Sequence, residues 1–322
     1  MELNLTNLQT NQPQSHTKIE DVIVLGAGPA GLSAALYAAR AELSPLVLTG
    51  MSLGGQASLT HSIENYPGFP DGVGGSELGE LFQKQAERFG ARYEYDSVTD
   101  VDFSKHPFII KTYSQEFKTR SVIISTGASP NLLNIPGEKS LTGRGVSYCG
   151  TCDGWFFKEK KVVVVGGGDS ALEEGLFLTR FASSVTVIHR RDQLRAGKIL
   201  QTRAADNPKM NFIWNSVVKE IQGEAAVTGV VLENVLTGEQ SVFPTDGVFV
   251  FIGHTPNTEM FRNKVDMDEH GYIFANSKME TSRPGIFAAG EVMDSTFKQV
   301  VVSAGMGAAA AIQATRFLEE NE

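Results

Sequence analysis

The segment SYCGTCDGWFF, residues 147–157, contains both cysteines of this chain of 322 residues. Cys149 and Cys152 are separated by two residues, and an acid, Asp153, follows directly. Two thiols at this spacing could bind a metal, form a structural disulfide, be buried as free thiols by chance, or exchange electrons as a redox pair.

The metal site and the structural disulfide lack supporting features. A structural zinc site needs four ligands, and the sequence has neither a second cysteine pair nor a nearby H-x₃₋₅-H motif. A disulfide that closes so short a loop removes little entropy from the unfolded chain and therefore stabilises little. Chance burial of two free thiols stays open.

A redox dithiol is the interpretation that the residues favour. In a C-x-x-C pair the pKa of one sulfur can fall, and the disulfide can open and close by exchange. The adjacent acid has a use in this reaction, because a carboxyl kept protonated by burial can supply the proton that a sulfur requires. We therefore expect Cys149, Cys152 and Asp153 to be catalytic, with no metal bound.

Two glycine-rich turns indicate the elements that serve this dithiol. Residues 21–40 read DVIVLGAGPAGLSAALYAAR, and residues 161–180 read KVVVVGGGDSALEEGLFLTR. Each has an apolar run, a G-x-G-x-x-G/A turn and a helix-like segment, which is the context of a dinucleotide-binding turn. In such a turn the pyrophosphate lies at a helix N-terminus. The predicted contacts are Gly26, Gly28, Pro29, Ala30 and Gly31 in the first turn, and Gly166, Gly168, Asp169, Ser170 and Ala171 in the second.

Later strands indicate that one nucleotide fold is nested in the other. The strands VIISTGASP (122–130) and GVFVFIGHTPN (247–257) follow the first and second turns, and GIFAAGEV (285–292) comes near the C-terminus. We assign the last strand to the first sheet and predict an α/β chain with two Rossmann-like domains. A polar leader covers 1–18, a flavin-binding domain covers 19–130 and 258–322, and an inserted NADPH domain covers 131–257. The linkers 127–137 and 253–261 contain Pro, Asn and Gly, as linkers do.

The strand that follows the second turn ends in HRRDQLR, with Arg190 located 24 residues after Gly166. An NAD site has an acid near this position, whereas guanidinium groups bind a 2′-phosphate. We therefore predict NADP contacts at His189, Arg190, Arg191 and Arg195, the alternative being a solvated basic surface. The corresponding strand after the first turn ends in Thr49 and Gly50 with no arginine cluster, and a Gly-Gly-Gln turn (54–56) follows, which suits a flat heteroaromatic ring.

The composition limits the remaining classes of protein. Hydrophobic residues make up 41% and charged residues 20%, and the net charge is -9, which disfavours nucleic acid and anionic membrane as partners. Two cysteines are too few for a secreted disulfide scaffold. The N-terminus lacks the apolar run of a signal peptide, and no window approaches about 20 consecutive apolar residues. We expect a cytoplasmic protein.

The motifs together resemble the bacterial low-molecular-weight thioredoxin reductases along nearly the whole chain beyond the leader. The matching segments are GAGPAGLSAALYAARA, TGMSLGGQ, IENYPGF, STGAS, C-x-T-C-D-G, VVGGGDSALEE, HRRDQLRA, IGHTPNT and FAAGEVMD. The resemblance implies a homodimer with one FAD per chain, NADPH as donor and thioredoxin as acceptor. It also implies that Cys152 lies nearer the flavin than Cys149 does, and that Asp153 donates the proton.

The resemblance extends the set of candidate cofactor contacts. The additional residues expected at the flavin are Thr49, Gly50, Gly55, Gln56, Asn65, Val98, Thr126, Gly127, Gly290, Glu291, Lys298, Gln299 and Val300. The additional residues expected at NADPH are Ile252 and Gly253.

The sequence departs from the family pattern at three places. Glu291 stands where the family has Asp, and the segment from Phe297 to Val300 reads FKQV where the family has YRQA. An Arg-to-Lys change replaces a planar fork by a point charge, so flavin affinity, flavin potential or the preferred electron donor could be unusual. Trp155 stands where Phe is usual, and nothing follows from that change.

Alternatives of other classes stay open beside NADPH-dependent reduction of a thioredoxin-like protein. A flavin-dependent dithiol oxidase or a reductase with another donor or acceptor would share the architecture, although the intact HRRDQLR motif opposes the oxidase. A sensor of NADP or flavin without turnover would not need both thiols and Asp153. Since the dithiol and the NADPH turn fall in the same predicted domain and must reach the same flavin, we expect that domain to rotate about its two linkers.

Overall fold

The computed structural model describes residues 14–50, 53–60, 63 and 65–321. Most of the predicted leader, residues 1–13, lies outside this described part. The leader was expected to extend to residue 18, whereas the first strand begins at Gln14, and the backbones of Gln14 and Ser15 pair with Gln115 and Glu116.

The described residues form seventeen strands and seven α-helices. The strands are β1 (Gln14–Leu25), β2 (Leu46–Leu48), β3 (Arg92–Glu94), β4 (Val98–Asp102), β5 (Phe108–Thr112), β6 (Gln115–Ile124), β7 (Ala128–Pro130), β8 (Val146–Ser147), β9 (Lys161–Gly166), β10 (Ser184–Ile188), β11 (Met210–Ile213), β12 (Ser216–Gly223), β13 (Val227–Asn234), β14 (Gln240–Pro244), β15 (Gly247–Phe251), β16 (His254–Pro256) and β17 (Ile286–Ala288). The α-helices are α1 (Pro29–Arg40), α2 (Gly75–Glu87), α3 (Glu138–Leu141), α4 (Gly150–Asp153), α5 (Asp169–Leu178), α6 (Lys198–Asp206) and α7 (Val300–Glu320). Short 3₁₀ turns cover Gly55–Leu59, Gly154–Phe157 and Glu259–Phe261.

The chain forms two compact units. The first unit contains the residues up to 58, residues 75–128 and the residues from 256 onward. The second unit contains residues 59–74 and 129–255. The strands β7 and β16, which pair with each other, lie where the chain passes from one unit to the other.

The first unit is built on a seven-stranded sheet. The order β3-β2-β1-β6 is parallel, β17 adds a further parallel strand beside the C-terminal half of β6, and β5 and β4 continue the sheet antiparallel. The alternation of side chains decides the packing, because neighbours along a strand point to opposite faces. Val22 and Val24 pack in one apolar cluster with α1 and α7, whereas Ile23 and Leu25 pack in another with β5.

Helix α7 packs closely on α1. A side-chain carbon at Gly307 would overlap the carbonyl oxygen of Ala30, so the two backbones approach directly. By length and composition α7 is the one helix in the described part of the chain that could also cross a membrane. Its buried residues are mostly small, and Ala310, Ala311 and Ala314 are fully enclosed in the core of the first unit, as expected of a core helix.

The second unit is built on a five-stranded parallel sheet in the order β11-β10-β9-β15-β8. One face packs on α5 and α6, and the other packs on the antiparallel sheet β12-β13-β14. Each unit thus has a set of parallel strands and a glycine turn between a buried strand and a helix, namely β1 and α1 in the first unit and β9 and α5 in the second. This confirms the predicted fold class of two Rossmann-like domains.

Candidate active site

The two cysteines of the second unit form a disulfide. Cys149 and Cys152 are bonded to each other with their Cα atoms 5.3 Å apart, and both side chains are half-buried. The bond spans the single turn α4, which follows the short strand β8. A side-chain carbon at Gly150 inside this turn would lie 2.3 Å from Oε2 of Glu174 on α5, so the carboxylate of Glu174 packs directly against the backbone of the turn.

Asp153 lies at the end of the same turn and faces Ser147 rather than water. Its carboxyl oxygen Oδ2 is 2.6 Å from the hydroxyl oxygen of Ser147. Burial raises the pKa of Asp153, and the Ser147 hydrogen bond lowers it by less. The same hydroxyl oxygen accepts a hydrogen bond from the backbone N–H of Cys149 at 3.1 Å. An acid with a raised pKa is therefore held within the segment that contains the disulfide.

The first glycine turn of the first unit has room for backbone only. Gly26 has a φ of +107°, and a side-chain carbon there would lie 2.5 Å from the carbonyl oxygen of Ser125. A carbon at Gly31 would overlap the carbonyl oxygen of Gly26 and lie 2.6 Å from the hydroxyl of Ser125. The Ser125 hydroxyl in turn donates to the carbonyl oxygen of Leu25 at 2.9 Å. These contacts fix the turn without side chains at its glycines.

The N-terminus of α1 fits a pyrophosphate. Gly28 is the residue before the helix, no side chain caps it, and Pro29 begins the helix. A second glycine, Gly55, approaches from the loop after β2, and a side-chain carbon at Gly55 would lie 3.0 Å from the Cα atom of Gly28. The exposed backbone N–H groups and the positive end of the helix dipole suit an anionic group. This turn therefore fits the diphosphate of the FAD that the sequence predicts.

The ends of two neighbouring strands complete the first site. The hydroxyl of Thr49 is buried and lies 3.1 and 3.3 Å from the carbonyl oxygens of Gly50 and Glu94. After β17, Gly290 has a φ of +80°, and a side-chain carbon there would lie 2.9 Å from the Cβ atom of Ala30. Gly290 therefore packs against the first turn of α1. The strand end at Thr49 and Gly50 carries no guanidinium group.

Glu291 and Lys298, two of the departures from the family pattern, lie on the loop between β17 and α7. Burial raises the pKa of Glu291, while the nearby Lys298 lowers it by less and Asp294 adds a small further rise. Asp294 is buried and accepts hydrogen bonds from the N–H groups of Thr296, Phe297 and Lys298 at 2.9, 2.9 and 3.0 Å. Asp294, which the sequence did not single out, thus holds Lys298 in a left-handed conformation with a φ of +53°.

The remaining residues predicted for the first site fall in several elements. Thr126 donates its hydroxyl to the carbonyl oxygen of Asn257 at 2.8 Å, and Gly127 follows with a φ of +67°. Gln299 precedes α7, and Val98 on β4 packs against the core. Gln56 lies in the 3₁₀ turn after Gly55, Val300 begins α7, and Asn65 belongs to the segment 59–74 of the second unit.

The second glycine turn repeats the backbone arrangement of the first. A side-chain carbon at Gly166 would lie 2.5 Å from the carbonyl oxygen of Phe251 and 2.8 Å from the Cβ atom of Ala171. Gly168 precedes α5, and no side chain caps this helix. Ala171 is fully buried, whereas Ser170 is exposed beside the turn. The exposed N–H groups at the start of α5 again fit a phosphate group.

The loop that follows β10 is tied to this second turn. The N–H of Arg195 donates to the carbonyl oxygen of Gly167 at 2.7 Å, and the N–H of Gly197 donates to Asp169 Oδ1 at 2.7 Å. The side chains of Arg190, Arg191 and Arg195 are exposed, and none has an ion pair with a described residue. Three guanidinium groups are thus available for an anion beside a phosphate-binding turn.

His189 lies beneath the second turn and differs from these arginines. Its side chain is 5% exposed, its ring fills the space where a side chain of Gly167 would be, and its Nε2 atom has no hydrogen-bond partner among the described residues. Burial lowers the pKa of His189, with smaller contributions from Arg195 and Arg190 that are partly offset by backbone hydrogen bonds. The predicted residues Ile252 and Gly253 follow β15, the neighbour of β9 in the sheet.

Sequence reasoning missed the polar neighbours of the disulfide. Ser147 bonds to Asp153, Thr151 contacts Cys149, and Glu174 accepts from the backbone of Thr151. Thr151 and Glu174 stand in the quoted motifs C-x-T-C-D-G and VVGGGDSALEE, but only the fold shows these contacts. Within the described residues no cluster of three or more His, Cys, Asp or Glu side chains could hold a metal ion.

Comparisons with known proteins give a consistent result. Residues 20–307 match the family described as pyridine nucleotide-disulphide oxidoreductase. The chain is similar to a thioredoxin reductase of Bacillus subtilis (strain 168), with 50% identity over 95% of this chain and 97% of the relative. It is also similar to a bifunctional thioredoxin reductase/thioredoxin of Mycobacterium leprae (strain TN), with 48% identity over 96% of this chain and 68% of the relative. The solved structure of thioredoxin reductase from Streptococcus pyogenes MGAS5005 superimposes with a TM-score of 0.89 at 44% identity, covering 94% of this chain and 99% of that chain.

Proposed function

We propose a residue-by-residue mechanism for this chain. The chain belongs to the thioredoxin reductases of the pyridine nucleotide-disulphide oxidoreductase family, and it transfers electrons from NADPH through FAD to the disulfide of thioredoxin. The observation that carries the mechanism is the content of the second unit. A disulfide, a buried acid with a raised pKa and a phosphate-binding turn with three available arginines lie together in one unit.

In the first unit, the chain binds FAD through backbone groups. Gly26, Gly28 and Gly31 leave the N–H groups of α1 accessible to the diphosphate, and Gly55 allows close approach from the opposite side. Glu291 lies at the edge of the same sheet, where a carboxyl can accept hydrogen bonds from ribityl hydroxyls. When bound, the flavin supplies a carrier that accepts a hydride and passes on two electrons.

In the second unit, the chain distinguishes NADPH from NADH by charge. The turn from Gly166 to Ala171 holds the pyrophosphate, and Arg190, Arg191 and Arg195 hold the 2′-phosphate. Guanidinium groups suit this role because they bind phosphate with two parallel hydrogen bonds and stay charged at all relevant pH values.

Reduction of the disulfide needs two electrons and protons. Two electrons break the bond between Cys149 and Cys152, and each sulfur gains one electron, which reduces the pair to the thiol level. Asp153 delivers one proton, because burial keeps its carboxyl protonated at a pH where an exposed Asp is ionised. The Ser147 hydroxyl holds the carboxyl at 2.6 Å, so the acid stays within the redox segment.

The dithiol then reduces thioredoxin by exchange. A thiolate of the pair attacks the disulfide of thioredoxin, and the second cysteine resolves the mixed disulfide and restores the starting bond. Trp155 and Phe156, in the turn after Asp153, are 52% and 39% exposed. Exposed aromatic side chains beside a reactive disulfide provide apolar contact area for a protein partner.

The assembly and the compartment are further parts of the proposal. We infer a homodimer, and its support is that α1, α2 and α7 of the first unit each expose a large apolar side chain, namely Tyr37, Leu81 and Ile312. Sedimentation equilibrium of the holoenzyme tests this, and a purely monomeric protein would contradict it. A cytoplasmic location is supported by the NADPH requirement and the low cysteine content, and fractionation of the source cells tests it.

Two single-cysteine variants test the mechanism. Cys149→Ser and Cys152→Ser should each abolish thioredoxin reduction while NADPH still bleaches the flavin, because only the outlet for the electrons is removed. Stopped-flow absorbance follows the flavin, and a coupled thioredoxin assay follows turnover. If either variant reduced thioredoxin at a near-normal rate, the dithiol would not be the outlet.

A further inference from the structure

The two sulfur atoms of the disulfide have unequal surroundings. Cys149 Sγ lies 3.1 Å from the backbone nitrogen of Cys152, which donates to it, and 3.4 Å from Oγ1 of Thr151. No hydrogen-bond donor lies at Cys152 Sγ among the residues that the structure describes. The difference arises from the turn, because Cys149 precedes α4 and faces its first N–H groups and side chains.

The hydroxyl of Thr151 must be the donor in its contact with Cys149. A sulfur atom in a disulfide has no hydrogen to donate, so the O–H of Thr151 points its hydrogen to the sulfur. Thr151 is held in position through its backbone, since its N–H donates to Glu174 Oε2 at 3.1 Å. The hydroxyl is therefore directed at Cys149 by a contact that reaches from α4 to α5.

We propose that Thr151 is a catalytic residue whose hydroxyl stabilises the thiolate of Cys149 when the disulfide opens; this inference rests on the proposed function. Two electrons break the bond between the sulfurs, and the single proton from Asp153 leaves one thiol and one thiolate. The negative charge stays on Cys149, because hydrogen bonds to an ionised acceptor are roughly twice as strong as neutral ones and only this sulfur has two donors. The Cys149 thiolate then bonds to one sulfur of the partner disulfide and releases the other as a thiolate.

Three carboxyl groups are in or next to the segment 147–157. Asp153 lies in it on α4, Glu174 on α5 accepts a hydrogen bond from the backbone N–H of Thr151, and Glu138 on α3 accepts one from the hydroxyl of Tyr148 at 3.0 Å. A negative charge nearby disfavours a thiolate. The hydroxyl of Thr151 opposes this effect at the sulfur atom.

A single-thiol background tests the proposal without any partner protein. Because the chain has two cysteines, the holoenzyme with Cys152→Ser contains Cys149 as its one thiol. The rate of its alkylation by iodoacetamide as a function of pH gives the pKa of Cys149. Adding Thr151→Val, which keeps the shape but removes the hydroxyl, should raise this pKa by about one unit, equivalent to about 1.36 kcal/mol. Adding Thr151→Ser, which keeps the hydroxyl, should leave it near the parent value.

With both cysteines present, Thr151→Val should slow thioredoxin reduction about tenfold near neutral pH, as a tenfold smaller thiolate fraction requires, and leave flavin reduction by NADPH unchanged. An unchanged Cys149 pKa in the Thr151→Val variant, or an equal rise in Thr151→Ser, would overturn the role of Thr151. A wild-type enzyme that failed to reduce thioredoxin would instead overturn the proposed function, and the alkylation titration would be unaffected by that failure.

Discussion

The two glycine turns of the chain have the same backbone design and different third positions. In the first unit, a side-chain carbon at Gly31 would overlap the Gly26 carbonyl oxygen and crowd Ser125. In the second unit, the equivalent residue is Ala171, whose methyl group is fully buried against the turn. The common part of the design exposes helix N–H groups to a phosphate, whereas the third position sets how closely strand and helix pack.

The two units differ more at the end of the next strand. In the first unit, the hydroxyl of Thr49 faces backbone carbonyl oxygens, and this strand end carries no charge. In the second unit, Arg190 and Arg191 place two guanidinium groups in solvent. The second unit also carries the disulfide and its acid. The comparison therefore shows two similar glycine turns whose surroundings differ, since only the second unit combines its turn with exposed arginines at the next strand end and with the disulfide.

The largest effect is expected at the tighter turn. Gly31→Ala should produce protein that purifies without flavin, because the added methyl group meets a backbone oxygen that cannot move independently. The ratio of visible flavin absorbance to protein absorbance measures the loss, and circular dichroism checks the fold. A flavin content equal to that of the wild type would show that the first turn tolerates an alanine at its third position, as the second turn does at Ala171.

Replacing Asp153 tests whether this carboxyl group supplies the proton when the disulfide is reduced. Asp153→Asn should slow thioredoxin reduction by about 10²–10⁴-fold, the usual contribution of a general acid, while reduction of the flavin by NADPH stays unchanged. In the wild type, the protonated form is the active one, so turnover should fall as the pH rises through the raised pKa of Asp153.

The Ser147→Ala variant provides the matched control for this pH dependence. The Ser147 hydrogen bond lowers the pKa of Asp153, so its removal should shift the alkaline fall in turnover to higher pH. A pH–rate profile of the three proteins measures this. An alkaline fall that persisted unchanged in Asp153→Asn would assign the titration to another group.

The charged strand end is tested by nucleotide preference. Replacing Arg190 and Arg191 together by Ala should raise the KM for NADPH by about 10²-fold or more, because each charge-assisted hydrogen bond contributes about 1.5–3 kcal/mol. The KM for NADH should change little, since NADH has no 2′-phosphate. Arg203→Ala on α6, an exposed arginine of the same unit, is the control. Equal increases with both nucleotides would contradict the assignment.

The smallest effect is expected when the second turn is made to resemble the first. Ala171→Gly should lower the free energy of unfolding by about 1–2 kcal/mol, from one lost buried methyl group and the lower helix propensity of Gly. The affinity for NADPH should be nearly unchanged, because Gly166 and Gly168 define the turn. Chemical denaturation and fluorescence titration measure the two quantities, and a loss of NADPH affinity beyond a few-fold would give Ala171 a direct role.

Sequence patterns predicted the parts of the fold that are apolar and local. The runs that became the central strands β1, β6, β9, β15 and β17 are buried on both faces, and their glycine turns follow directly, so the fold class could be predicted. The strands β4 and β14 escaped prediction because their residues are largely exposed and their pairing depends on distant partners. The start of β1 at Gln14 was missed because residues 14–17 are polar.

In the candidate site, residues within short motifs could be predicted from the sequence, whereas contacts between separate elements could not. The cysteine pair, Asp153 and the arginines stand in short motifs, so their chemistry could be predicted from spacing. The contacts of Ser147 with Asp153 and of Glu174 with Thr151 depend on how α4 folds against β8 and α5, which no motif encodes. The domain limits, the individual cofactor contacts and the rotation of the second unit stay predictions.

The most direct test of the central claim is an anaerobic titration of the holoenzyme. The visible spectrum is recorded while NADPH is added, and oxidised thioredoxin is added afterwards. The account predicts a yellow protein that bleaches with NADPH at far lower concentration than with NADH, and that regains its colour as thioredoxin is reduced in equal amount. A protein that bleaches but is not reoxidised by thioredoxin, or that bleaches equally with NADH, would contradict it.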